Sequence, residues 1–142
     1  MRVSKIIRVI EDAGGKDVLG FLPDARIPGL ESMRGLCSKA GIGSADVVLV
    51  PLEDGDRAEA LTAMGTKTIA IDLNPMSRTS KAATVTVVDE VTRAIPEITR
   101  CAESLEGDAV GMRKALSAYD RDDNLGKVMA GMAANLRRVE RG

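Results

Sequence analysis

The sequence predicts an α/β fold built on a mainly parallel sheet of about four strands with flanking helices. Three observations predict it. Val47-Val48-Leu49-Val50 is a run of consecutive apolar residues, the pattern of a strand covered on both faces. Strand-like runs alternate with segments of helical period or with long loops, as in parallel sheets. A third run, Thr68-Ile69-Ala70-Ile71, stops abruptly at Asp72 and gives way to a proline-broken polar loop. In open parallel sheets ligands bind at such carboxyl ends of strands.

In chain order, Val3, Ile6, Ile7 and Ile10 follow helical spacing, and Gly14-Gly15 ends that segment. Val18 to Leu22 is the first strand candidate. Residues 23–44 show no period and carry Pro23, Pro28, Gly29, Gly35, Gly41 and Gly43, which makes a long and cationic loop through Arg26, Arg34 and Lys39. A short helix around Ser32 to Lys39 fits within it. Ala45 to Val50 is the second strand. Pro51 to Gly55 leads into a helix from about Asp56 to Met64, with Asp54 or Gly55 as its cap. Lys67 to Ile71 and Thr84 to Val88 are the third and fourth strands. Asp89 caps a helix that places Val91, Ala94, Ile95, Ile98, Ala102 and Leu105 on one face, with a kink or a new first turn at Pro96.

The remainder is helical. Asp108 caps a segment with Met112, Ala115, Leu116 and Tyr119, and the acidic turn Asp120 to Asp123 precedes the last helix. Its stripe of Leu125, Val128, Met129, Met132, Ala133, Leu136 and Val139 must pack, on its own sheet or on a partner subunit. Residues 1–105 therefore read as the α/β core, and residues 106–142 as a helical extension.

Composition excludes several functions. The chain has 142 residues, a net charge of −1, no His and no Trp, and its aromatic residues are Phe21 and Tyr119. Histidine chemistry is absent, and a base-stacking or strongly basic nucleic-acid surface is not available. No apolar run is long enough to span a bilayer, and the first residues lack a signal-peptide core, so a cytoplasmic protein with no membrane partner is expected. Cys37 and Cys101 lack metal-ligand spacing and are expected as free thiols, with no metal site among protein side chains.

Two loops have opposite chemistry. Asn74 to Lys81 holds Arg78, Lys81, three hydroxyls and an amide without a carboxylate, which suits an anion such as phosphate. Glu53, Asp54 and Asp56 crowd the next helix start. They either cap it and offset its dipole, or attract a cation such as Mg2+ or an ammonium group. No glycine-rich phosphate loop is present.

Four stretches together carry a resemblance: Pro23 to Ser32, Ser44 to Arg57, Ala70 to Thr79, and Thr86 to Asp89. They resemble the archaeal phosphopantothenate synthetases, the 4-phosphopantoate–β-alanine ligases of coenzyme A biosynthesis, over the second half of the family's sequence. The resemblance implies a Rossmann-like core, a homodimer, and ATP with Mg2+. It implies that ATP activates the carboxylate of 4-phosphopantoate as an acyl-adenylate and that the amine of β-alanine then displaces AMP. It places Asp72, Leu73, Asn74, Ser77, Arg78, Thr79, Asp89 and Glu90 at the nucleotide, though Glu90 departs from the Asn expected there. Asp54, Asp56 and Arg78 are the candidates for charge stabilisation in catalysis, and Arg26 and Arg57 for substrate binding. Family members carry a further upstream region with arginines that complete the nucleotide site. The alternative is a non-catalytic nucleotide-binding or dimerisation module that works beside a separate N-terminal half.

Overall fold

The structure, a computed structural model, describes residues 2–140. Met1 and residues 141–142, the outer ends of the two expected segments, lie outside the described residues. Helix α1 (Arg2–Asp12) carries the predicted apolar stripe. It ends where Gly14 takes a left-handed backbone and the Gly15 N–H closes on the Ile10 carbonyl at 2.8 Å. Two very short strands, β1 (Ala25–Arg26) and β2 (Leu36–Cys37), pair antiparallel. The main sheet follows: β3 (Val47–Val50), α2 (Gly55–Ala63), β4 (Lys67–Ile71), α3 (Arg78–Ala82) and β5 (Val85–Val87), all parallel in the order β3-β4-β5. Helices α4 (Val91–Leu105), α5 (Ala109–Ala118) and α6 (Arg121–Val139) complete the chain.

The α/β class and three of the four parallel strands stand as expected, and the sheet is small. The fourth candidate, Val18 to Leu22, is not a strand. Asp17 and Gly20 adopt left-handed backbone on either side of Val18-Leu19, and Leu19, Phe21 and Leu22 are exposed. The expected helix at Ser32 to Lys39 is also absent. A single 3-10 turn, Met33–Gly35, leads into β2 instead. Pro96 is accommodated inside one unbroken helix from Val91, so no new helix begins there. The cap of that helix is Glu90, whose carboxylate accepts the Thr92 N–H, while Asp89 binds the Glu90 N–H and Arg93.

Burial is concentrated on one face of the sheet. Val50, Thr68, Ala70 and Thr86 point into it and are buried. The core cluster joins Val50 and Leu61 to Ile27, Leu30 and Cys37 of the long loop, so that loop supplies much of the packing. On the opposite face Val47 and Leu49 remain 54% and 43% exposed, against the expectation of a strand buried on both sides. The α6 stripe was likewise expected to pack. Leu125 does, and from Met129 onward the helix is exposed.

The free edge of β5 is closed by side chains. The Thr86 N–H donates to the Tyr119 hydroxyl at 2.9 Å, the Thr86 carbonyl accepts from Asn124 Nδ2 at 3.0 Å, and Arg121 reaches the Ala83 carbonyl at 3.3 Å. These groups take the place of a neighbouring strand, which keeps the edge from pairing elsewhere.

Candidate functional site

Parallel strands with short returning helices bring the loops after β3, β4 and β5 to one edge of the sheet. The first two are locked together by Thr79. Its hydroxyl donates to Glu53 Oε1 at 3.1 Å and accepts the Asp54 N–H at 3.1 Å. Thr79 is fully buried, so this predicted nucleotide contact presents no surface to a ligand. Its place is structural, because two loops meeting at a sheet edge need their polar groups satisfied.

Asp72 organises the loop after β4. It is buried, accepts the Asn74 N–H at 2.9 Å and receives the Ser77 hydroxyl. Asn74 Oδ1 in turn accepts the Met76 N–H, and Ser77 caps α3 by accepting the Ser80 N–H at 2.9 Å. This chain of side-chain turns explains why Asp, Asn and Ser occupy these positions. Leu73 sits between them and is exposed.

A cleft of about 240 Å³ opens across the three strand ends, between Ile71, Leu73 and Val91 on its apolar walls and Glu53, Asp89 and Glu90 on its polar ones. Among the described residues the hydrogen bonds of Glu53 and Asp89 all fall on one oxygen, Oε1 and Oδ1 respectively, which leaves Glu53 Oε2 and Asp89 Oδ2 for a hydroxyl donor, while Glu90 is engaged by Thr92 and the Arg93 backbone. No cation lines the cleft, so it is unsuited to phosphate and suited to a polyhydroxylated, partly apolar group.

The cations lie beside it, around the start of α2. Asp54 is the helix cap and accepts the Arg57 N–H at 3.3 Å and Arg34 at 3.1 Å. Arg34 also pairs with Asp56. Arg78 was expected to lack a neutralising acid because its own loop has none. Helix α2 supplies two: Arg78 binds Glu59 in bidentate fashion at 2.9 and 2.6 Å and Asp56 at 2.8 Å. Gly55 permits this approach, since a Cβ there would stand 2.8 Å from the Arg78 Cβ. The guanidiniums hold the Asp56 and Glu59 carboxyls below the usual carboxylate range, mainly through the hydrogen bonds from Arg78. Three guanidiniums thus face three carboxylates, and the pairs are largely exposed.

Arg26 and Arg57 are less free than expected. Arg26 ties its own loop together by donating to the Leu30 and Ser32 carbonyls at 2.6 and 2.9 Å. Arg57 donates to the Arg34 carbonyl at 3.0 Å, while its buried Nε has no hydrogen-bond partner and stands 3.7 Å from Asp54 Oδ2. Among the described residues no group of three His, Cys, Asp or Glu could hold a metal ion. Asp54 and Asp56 face arginines, so they do not form a Mg2+ cage.

Arg34 and Glu59 were missed as site residues. Both meet their partners across about twenty positions of sequence, through a loop with no period and through a helix face that reads as ordinary solvated surface.

Comparison with known proteins adds the following. The family described as phosphopantothenate/pantothenate synthetase matches residues 1–135. A 4-phosphopantoate–β-alanine ligase of Methanospirillum hungatei JF-1 is 53% identical over 109 residues, 77% of this chain and 44% of that protein. The ligase of the same name from Methanosarcina mazei is 42% identical over 137 residues, 96% of this chain and 54% of that protein. The one from Thermococcus onnurineus is 42% identical over 127 residues, 89% and 49% respectively. The chain spans about half the length of the curated relatives it matches.

Proposed function

The chain belongs to the phosphopantothenate/pantothenate synthetase family, and from that premise we propose that it carries the nucleotide side of an ATP-dependent ligase joining 4-phosphopantoate to β-alanine. The observation that carries this reading is the cleft across the strand ends. Its apolar walls suit a base and its free carboxylate oxygens suit the hydroxyls of a ribose, as acidic residues do in other doubly wound folds. The triphosphate would leave the acidic cleft toward the guanidiniums of Arg78, Arg34 and Arg57.

In this reading the substrate carboxylate attacks the α-phosphorus of ATP. The bond to the β-phosphate breaks, pyrophosphate departs, and an acyl-adenylate forms. The free amine of β-alanine then attacks the acyl carbon, AMP leaves with the bonding electron pair, and the nitrogen gives up its proton. Both steps depend on positioning and on stabilising charge that develops on phosphate oxygens, which arginines and backbone N–H groups can do without histidine. Asp54 and Asp56 hold the arginines in place and keep negative potential near the ammonium of β-alanine. Pairing of two copies through the exposed α6 stripe, in the cytoplasm, belongs to the same reading.

Calorimetric titration with ATP tests it. Leu73→Glu changes an exposed wall of the cleft and leaves the fold intact, so it should weaken ATP binding by about tenfold or more. Equal affinity in the two proteins would place the nucleotide elsewhere.

A further inference from the structure

We propose that the β3 edge, with the face bearing Val47 and Leu49, is a docking seam for the polypeptide that makes up the other half of the relatives' length, and that this polypeptide adds a strand beside β3. The inference rests on family membership and the fold, independently of the reaction.

Four observations carry it. The Asp46 carbonyl accepts the Lys67 N–H, so by alternation Val48 and Val50 bond to β4, while Val47 and Leu49 turn their N–H and C=O groups to the open side. Among the described residues nothing bonds to those groups. The other edge of the sheet is treated differently: Tyr119 and Asn124 satisfy both main-chain groups of Thr86. An edge meant for solvent carries such covers, or charges, prolines or bulges, whereas Val47–Val50 contains none of them.

The same residues are exposed on the uncovered face. Register continues that face from Leu49 to Ile69 and Val85, which are half-buried, and to Ile71, which is buried, so the open part of the face is the β3 strand itself. Beside the edge, a groove of about 430 Å³ runs along β3, lined by Ile42, Leu61 and Arg57.

The area agrees. The chain exposes 10178 Å², whereas a compact monomer of its 15.0 kDa exposes about 7,000 Å². The excess, roughly 3,000 Å², is shared by the exposed faces of α1 and α6 and by β3, so the sheet face is one of the surfaces this chain leaves open. The curated relatives hold, within one chain, about as much further polypeptide as this chain contains. That length is enough to supply both a strand for the edge and a cover for the β3 face, so the additional half is the occupant proposed.

The test is amide hydrogen exchange. The chain is measured alone, co-expressed with the stretch of the Methanospirillum hungatei ligase that it does not match, and joined to that stretch in one polypeptide. Val47 and Leu49 amides should exchange at least about tenfold more slowly when the added half is present, while Val48 and Val50 are protected throughout. Val47→Lys, at an exposed position, should leave the melting of the chain alone unchanged and weaken the association about tenfold or more. Unchanged exchange at Val47 and Leu49 in both the co-expressed and the joined protein overturns the proposal. So does association indifferent to Val47→Lys, or protection of these amides in the chain alone through a dimer sensitive to Val47→Lys, which would assign the seam to a second copy.

Discussion

At the scale of the residue, Arg78 is paired with two acids, and a phosphate bound there would have to displace them. Its guanidinium is planar and bidentate, which suits Glu59 now and a phosphate equally well. Arg78→Ala should therefore weaken binding of ATP or 4-phosphopantoate by roughly 10- to 100-fold, read by calorimetry, with little change in melting because its ion pairs are exposed. Equal affinity of the variant for both ligands would remove Arg78 from the site. Glu59→Gln should act in the opposite direction, tightening anion binding about two- to fivefold by releasing one competitor. Its pH behaviour has a definite sign. The Asp56 and Glu59 carboxyls are depressed in the folded chain, so what they contribute to stability is complete above their unfolded values and is lost as pH falls through the lower folded ones. The melting difference between wild type and Glu59→Gln should be constant from about pH 8 to 5 and shrink below about pH 4. A difference that changes between pH 8 and 5 would mean that other groups control the cluster.

At the scale of the element, legibility followed the source of the signal. Strands β3, β4 and β5 were legible because short runs rich in β-branched and apolar residues stand between helix and turn signals, although β3 proves covered on one face only. The caps Asp54 and Asp108 were legible because a carboxylate before a helical run has a local job, whereas the cap expected at Asp89 falls one residue later, on Glu90. Val18 to Leu22 misled because an apolar run forms a strand only if a neighbour pairs with it, and none does. Residues 23–44 were opaque for the opposite reason: Ile27, Leu30 and Cys37 are isolated apolar residues with no period, and their burial comes from contacts with Val50 and Leu61. Ile27→Ala should accordingly cost about 2–5 kcal/mol, whereas Leu22→Ala should cost almost nothing, as urea unfolding can measure. The β5 edge gives a second test. Tyr119→Phe removes the acceptor for the Thr86 N–H while keeping the ring, and should cost about 1–3 kcal/mol. No loss would mean that water replaces the hydroxyl and that Tyr119 is held by packing alone.

At the scale of the whole molecule, the ordered stretches from Pro23 to Asp89 revealed the family, while the geometry of the site revealed how much of it is self-occupied. Arginines and acids expected to meet ligands meet one another, and the cleft proposed for the nucleotide is lined by residues at and after the three strand ends. Adenylation demands that the carboxylate and the α-phosphorus come within reacting distance, and a misplacement of ~1 Å can cost about a hundredfold in rate. A chain spanning about half of its relatives can keep the loops that recognise a ligand and still lack the wall that fixes its orientation and excludes water. The chain alone should therefore bind ATP or 4-phosphopantoate weakly and form little or no AMP. Addition of the unmatched stretch of a relative should raise AMP release in the presence of 4-phosphopantoate, β-alanine, ATP and Mg2+ by at least about a hundredfold. Full turnover by the chain alone would show that its own loops suffice to orient both reactants. Absence of turnover with the added half, under conditions where the two associate, would assign the chain to binding or assembly in place of catalysis.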